Sequence, residues 1–180
     1  MSSAEKPKVK KGTHVMFSLK PISKQGISGA LQKAERYRLL NEPRLAESIC
    51  QDILAIEPDN HGAIVTMLLA VTDQFGGNTA VAMSTARKLL PLLKDDYERH
   101  YFEGIICERQ GSAQLNRGKY SDPAAAYEWL TDAMEHYEKA EAIRPSGNDD
   151  AILRWNTCAR QIMDHRLQPR KEHYVEPSLE

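Results

Sequence analysis

Apolar residues recur at every third or fourth position through most of the chain, which is the spacing of helices that bury one face. In the stretch 46–58, the residues that share one face are Ala46, Ile49, Cys50, Ile53 and Leu54. The same pattern returns at 133–145, and both stretches begin with Ala and end in Ala-Ile-x-Pro. Each closing proline stands where a helix must already have ended. The chain therefore uses one helical unit more than once.

The periodicity, together with residues that favour helix ends, predicts seven helices. Their expected ranges are 28–40, 43–58, 61–75, 79–90, 97–110, 123–143 and 149–167. Asn41 suits the end of the first helix because Asn tolerates the left-handed conformation, and Pro43 suits the first turn of the second. Gly111 is expected to stop the fifth helix, and 112–122 is expected to be a loop or to add one turn to that helix. Pro91 should kink or end the fourth helix.

The two ends of the chain differ from the helical region. Residues 1–26 hold six lysines against one glutamate, with prolines and glycines that interrupt any helical period. We interpret this segment as a basic, flexible arm that contains a short apolar stretch at 15–19. The helical domain is expected to span 27–167, and 168–180 forms a C-terminal tail.

The repeated unit resembles the tetratricopeptide repeat, a pair of helices of about 34 residues with small or aromatic residues at fixed steps and a closing proline. The residues that carry the resemblance in the first unit are Ala34, Tyr37, Ala46, Cys50 and Pro58. In the last unit they are Gly104, Ala133, Tyr137, Ala140 and Pro145, with about 17 residues inserted between the helices. The middle unit matches less closely and has Lys94 where the proline belongs.

The resemblance implies an all-α fold, a right-handed α-solenoid of antiparallel helix pairs. Its three repeats would cover about 27–60, 61–96 and 97–147, and the helix at 149–167 would cap the stack. Small residues would let the paired helices approach closely. These residues are Ala34, Ala46, Ala82, Gly104 and Ala133.

In this family the first helix of each pair lines a concave groove, so the resemblance also implies a binding surface. The groove residues would be Leu31, Glu35, Arg38, Val65, Leu69, Thr72, Tyr101, Phe102, Ile105 and Arg109. Such a surface would bind an amphipathic helix or an extended peptide, as an interaction module or adaptor does. Some members of the family hold a terminal carboxylate with cationic side chains. The matching positions here are Leu31, Glu35, Thr66, Glu98 and Phe102. None of them supplies a cation, so we predict that the protein does not bind a terminal carboxylate in this way.

Composition narrows the alternatives. The 180 residues are 41% hydrophobic and 27% charged, with a formal net charge of −1, which argues against a surface made entirely for nucleic acid.

The three cysteines, Cys50, Cys107 and Cys158, stand at apolar helical positions and are interpreted as reduced core thiols. Without a CxxC pair, a zinc site built on cysteine pairs has no support. No membrane span or secretory signal is recognised, so we expect a cytoplasmic protein.

Sequence motifs do not indicate an enzyme. The six histidines are scattered and form no recognisable metal-binding spacing. The acidic pairs Asp95-Asp96 and Asp149-Asp150 stand at predicted helix starts, where capping explains them better than acid–base chemistry. We therefore predict no catalytic residues, no metal and no cofactor.

Two other functions stay open. The basic arm would attach the protein to nucleic acid or another anionic surface, with help from a second group of cations. That group comprises Arg117, Lys119, Arg166, Arg170 and Lys171. Alternatively, segment 15–19 of one chain would occupy the groove of another and form a homo-oligomer.

Overall fold

The protein is described by a computed structural model that covers residues 17–76 and 79–170. These residues form seven α-helices and three 3-10 turns, and no strand. The helices are α1 (Ile27–Leu39), α2 (Pro43–Ile56), α3 (His61–Thr72), α4 (Thr79–Leu89), α5 (Asp96–Leu115), α6 (Pro123–Ala142) and α7 (Asp150–Asp164). The all-α fold class that the periodicity predicts is confirmed.

Three helices begin with the side-chain caps that the sequence indicates. Asn60, Asp95 and Asp122 each accept a hydrogen bond from a backbone N–H of the following turn, at distances between 2.7 and 3.0 Å. Each bond satisfies a donor that has no partner within the helix. The capping interpretation of Asp95 is therefore confirmed.

The start of α7 is built differently from the prediction. Asp149 occupies the N-cap position but makes no side-chain capping bond, and its carboxylate instead lies 3.5 Å from Arg144. Asn148 supplies the acceptor, because its Oδ1 receives a hydrogen bond from the N–H of Asp150 at 3.0 Å. The neighbouring amide thus replaces the carboxylate as the cap.

The turn between α1 and α2 follows the prediction closely. Asn41 has a φ of 60°, which is the left-handed conformation expected there, and Pro43 is the first residue of α2. The break after α4 also lies at the predicted proline, since Pro91 falls inside the 3-10 turn Leu90–Leu92.

Gly111 does not end α5, contrary to the prediction. The helix continues for another turn to Leu115, and Gly111 lies inside it, facing α6. A Cβ atom at this position would lie 2.8 Å from Cγ of Leu130, so the glycine permits a close helix–helix approach. Seven of the eleven residues 112–122 are therefore helical: 112–115 add one turn to α5, which is the alternative prediction for this segment, and Gly118–Tyr120 form a 3-10 turn.

Two other helix ends lie earlier than expected. Helix α3 ends at Thr72, and Phe75 is buried in the turn that follows it. Helix α7 ends at Asp164, after which Arg166 takes a left-handed φ of 51° and Leu167 returns to the core. In both cases an apolar residue in a turn packs against the core. Because its spacing continues the helical period, the sequence pattern alone assigns it to the helix.

Packing runs mainly between helices that are adjacent in the chain, and the α5–α6 pair shares the largest interface. Two further contacts skip a helix: α1 touches α3, and α3 touches α5. One apolar cluster extends from Ala34 in α1 to Cys158 in α7, and a smaller cluster forms around Ile27, Ile53 and Ala63. Ile22 packs on the smaller cluster, so the end of the predicted arm touches the helical region.

The small residues predicted to lie between helices are mostly buried. Ala34, Ala46 and Ala133 have no solvent exposure, whereas Ala82 is half-buried and Ala86, one turn later, takes the buried position in α4. None of the described helices combines the length and the apolar character that a bilayer crossing requires.

Candidate functional site

The ten predicted groove residues lie on α1, α3 and α5, and α3 contacts both of the other two helices. Thr72, Phe102 and Ile105 are buried in the core, so their assignment to an accessible groove is wrong. Their side chains pack between helices. Helical periodicity does not distinguish such a buried position from one on a partly exposed helix face.

The other predicted groove residues retain contact with solvent. Glu35 is exposed, and six more are half-buried: Leu31, Arg38, Val65, Leu69, Tyr101 and Arg109. Leu31 packs against the start of α3, where a Cβ atom at Gly62 would lie 2.7 Å from Cδ2 of Leu31. The face formed by α1, α3 and α5, here called the inner face, thus presents aliphatic and aromatic surface.

A shared carboxylate links the three helices of the inner face. Asp73, just after α3, accepts a hydrogen bond from Nε of Arg38 in α1 at 2.8 Å and also pairs with the guanidinium of Arg109 in α5. The side chain of Asp73 is 25% exposed and that of Arg109 is 18% exposed, so solvent screens these pairs less than it screens fully exposed ones.

Arg109 is held by more than this carboxylate. Its Nη1 also donates to the carbonyl oxygen of Leu69 at 3.0 Å and to Oγ1 of Thr72 at 2.8 Å. Burial lowers the pKa of Arg109, and the charge of Asp73 opposes that shift. The guanidinium is therefore engaged within the protein, and the two arginines predicted as groove residues also connect the helices.

Aromatic side chains gather in the first two turns of α5. The ring of Tyr101 stacks on Tyr97 with centroids 5.8 Å apart and meets the edge of Phe102 at 5.3 Å. It also lies 5.9 Å from the ring of Tyr137 in α6. Tyr101 is the half-buried member of this group, so it is the aromatic residue that the inner face offers to a partner.

A buried polar network joins α5, α6 and α7. Glu108 is 6% exposed, and its carboxylate accepts a hydrogen bond from the hydroxyl of Tyr137 at 2.6 Å and another from Arg154 at 3.1 Å. Burial and the nearby charge of Glu108 raise the pKa of Tyr137, which keeps the phenol protonated as a donor. No sequence motif indicates this network, because its members are separated by 29 and 46 positions.

Another polar cluster lies at a different place on the α5–α6 interface. Potential ligand atoms of Glu103, Cys107 and His136 lie within 4.8 Å of one another. Nδ1 of His136 is buried without a hydrogen-bond partner among the described residues. Burial raises the pKa of the Cys107 thiol to about 12 and lowers the pKa of His136. No sequence motif indicates this cluster, because its histidine and cysteine lie on different helices.

The position of Glu98, one of those compared with carboxylate-binding members of the family, holds a carboxylate in contact with a histidine. Its carboxylate lies 2.8 Å from Nε2 of His61 at the start of α3. Glu98 therefore adds negative charge to the inner face, which is unfavourable for a terminal carboxylate.

The basic arm falls largely outside the described residues, as does Lys171. Phe17 and Leu19, the described end of the apolar segment 15–19, are exposed. Of the additional cations, Arg170 pairs with Asp122 at 3.0 Å and lies 3.8 Å from Glu128, while Lys119 lies over the ring of Tyr120. The carboxylates beside Arg170 reduce its attraction for an anionic surface.

Comparisons with models of known protein families, with curated proteins and with solved structures gave no match to this chain. The resemblance to the tetratricopeptide repeat therefore stays a prediction that rests on the residues quoted for it.

Proposed function

We propose that the protein is an interaction module that binds a peptide or a helix of another protein on the inner face. In this proposal the helices form a right-handed α-solenoid of tetratricopeptide-like pairs. Helices α1, α3 and α5 are the first members of the three pairs, and α7 caps the stack. The protein acts by binding and not by catalysis.

The observation that carries the proposal is the link from Arg38 through Asp73 to Arg109. It supports a side-by-side arrangement of α1, α3 and α5, because one carboxylate touches both arginines. A surface whose helices are already fixed loses little conformational entropy when a ligand binds. Preorganisation of this kind favours recognition of a flexible segment.

The chemistry of the inner face favours a partner with apolar side chains. Leu31, Val65, Leu69 and Tyr101 are all half-buried, so a ligand that covers them would remove further apolar surface from water. Tyr101 is the best anchor, since aromatic residues contribute strongly at the centres of interfaces. Glu35 and Glu98 add acidic groups, which favour a peptide with cationic residues beside its apolar ones.

Peptide selection tests this function without knowledge of the natural partner. A displayed library of peptides with alternating and helical apolar patterns is selected on the full chain, and the enriched peptides are synthesised. Their affinities are then measured for wild type, for Leu69→Ala and Tyr101→Ala, and for the control variants Val81→Ala and Leu153→Ala. The controls truncate exposed apolar residues on α4 and α7.

We expect the two inner-face variants to weaken binding at least about tenfold and the controls to stay within about twofold of wild type. Circular dichroism and urea unfolding establish that each variant is folded. Amide chemical shifts that move on α1, α3 and α5 would place the peptide on the inner face. Equal affinities for all four variants, with shifts confined to other helices, would contradict the proposal.

A further inference from the structure

We propose that Glu103, Cys107 and His136 form a zinc-binding site between α5 and α6. The ligand atoms of the three side chains lie within 4.8 Å of one another. Zinc ligands at bond lengths of about 2.0–2.3 Å in a tetrahedral arrangement are separated by about 3.5 Å. Side-chain rotations that bring the ligand atoms about 1 Å closer would therefore complete the site, with little movement required of the helices.

Helical spacing explains why these residues meet. Glu103 and Cys107 are four positions apart in α5 and project from the same face of that helix, and His136 approaches from α6. The two helices share the largest interface in the structure. Their packing therefore holds the backbone of His136 at a fixed distance from the backbones of Glu103 and Cys107. His100, one turn before Glu103, lies with its ring 6.2 Å from that of His136.

The ligand atoms select the class of metal ion. Thiolate, imidazole and carboxylate together are typical of zinc, whereas magnesium and calcium bind through oxygen atoms. The three side chains leave one position of a tetrahedral ion for a water molecule or for His100. Nδ1 of His136 is buried without a hydrogen-bond partner among the described residues, and coordination at this atom would satisfy it.

Arg87 of α4 is the main group that competes with the ion. It contacts Oε1 of Glu103 at 2.9 Å, and its guanidinium also lies 5.9 Å from the centre of the Trp129 ring. When Glu103 turns toward zinc, Arg87 loses this ion pair and keeps its contact with the Trp129 ring. Asp132 and Lys139 of α6 also act electrostatically on His136, with opposite effects on its charged form.

Binding exchanges one proton for the metal ion. The Cys107 thiol loses its proton to solvent as the Zn–S bond forms, and neither oxidation nor reduction takes place. The resulting thiolate and the Glu103 carboxylate balance the double charge of the ion. Zinc would then join α5 to α6, using none of the residues assigned to the inner face.

Cobalt provides a direct probe, because Co²⁺ binds zinc sites and a cobalt–thiolate bond absorbs in the near ultraviolet. The full chain, kept reduced, is titrated with Co²⁺ and then with Zn²⁺. We expect one Co²⁺ per chain, a thiolate-to-cobalt band, and loss of that band as Zn²⁺ displaces the cobalt.

Matched variants assign the band to its ligands. Cys107→Ser should abolish the band, and His136→Gln should weaken cobalt binding at least about tenfold. Cys50→Ser and Cys158→Ser are the controls, because both remove thiols that are as deeply buried as Cys107 but lie outside the cluster. Both controls should keep the band at wild-type affinity.

The half-buried His136 makes the test independent of damage to the core. If Cys107→Ser is unfolded by circular dichroism, the comparison of His136→Gln with wild type decides the question. Absence of a thiolate band from wild type at saturating cobalt would overturn the proposal. A band that survives at full strength and affinity in His136→Gln would overturn it as well.

Discussion

The ring of Tyr137 lies directly against the backbone of Gly104, so that a Cβ atom at position 104 would be 2.5 Å from Cε1 of the tyrosine. Both residues are buried, and the contact lies in the interface between α5 and α6. Tyr137 has little freedom to move away, because its hydroxyl is hydrogen-bonded to Glu108. The glycine is therefore required by the neighbouring helix, despite its low helix propensity.

Gly104→Ala should lower the free energy of unfolding by about 1–3 kcal/mol, since the added methyl group overpacks a rigid interface. Gly29 provides the control, because it is also helical but a Cβ atom there meets nothing within 4 Å. Gly29→Ala should raise the free energy of unfolding by about 0.5–1 kcal/mol through helix propensity. Urea unfolding measures both, and stabilisation by both variants would contradict the close contact.

Tyr137→Phe should destabilise the protein by about 1–3 kcal/mol, because the buried carboxylate of Glu108 loses one of its two hydrogen-bond partners. Tyr120→Phe is the matched control, since Tyr120 is exposed and its hydroxyl makes no comparable bond among the described residues. We expect the control to unfold within about 0.5 kcal/mol of wild type. Similar urea midpoints for the two variants would show that the network contributes little.

Asp73→Ala should lower the free energy of unfolding by about 1–3 kcal/mol, because two partly buried arginines lose their shared partner. The pair formed by Asp59 and Lys94 is the control: its side chains are 82% and 83% exposed and 3.9 Å apart. Lys94→Ala should change stability by less than about 0.5 kcal/mol. A double-mutant cycle between Arg38 and Arg109 would measure their coupling through Asp73, and complete additivity would argue against it.

The buried thiols predict a loss of stability at alkaline pH. Burial raises the pKa of Cys50, Cys107 and Cys158 from 9.0 to about 12. The folded state thus retains protons that the unfolded state releases, so the contribution of the thiols to stability is constant below about pH 9 and falls as the pH rises toward 12. Each thiol should contribute a slope of about 1.4 kcal/mol per pH unit in this range.

Urea unfolding at a series of pH values between 8 and 11 tests this expectation. Cys50→Ala should show a shallower decline than wild type, because one linked proton is removed. Tyr137 adds a loss of the same sign above its ordinary pKa of 10, since its pKa is also raised. Curves that stay parallel between wild type and the variant would indicate that Cys50 does not titrate with unfolding.

The helices were predictable from the sequence because their period, caps and closing prolines act over a few residues. The prediction that Gly111 ends α5 is wrong because a glycine can either end a helix or permit close packing within one. Here it accommodates the side chain of Leu130 within a continuous helix. The buried groove residues Phe102 and Ile105 were misassigned for a related reason. A helix between two neighbours buries more than one stripe, and sequence alone does not show where the open face begins.

The polar clusters were beyond sequence reasoning because they depend on the register between two long helices. Glu108 meets Tyr137, and Cys107 meets His136, each across 29 positions that include the segment 112–122. A shift of one residue in the register of α6 would move its side chains by about 100° around the helix axis and separate both pairs. Local patterns contain no information on this register.

The dominance of packing between successive helices also has a consequence for the route by which the chain folds. Apart from α1 with α3 and α3 with α5, the main interfaces join elements that follow one another directly. Low contact order of this kind is associated with folding in microseconds to milliseconds, because little loop-closure entropy is lost before contacts form. We expect the α5–α6 hairpin to form early in folding, because it has the largest interface and its two helices follow one another in the chain.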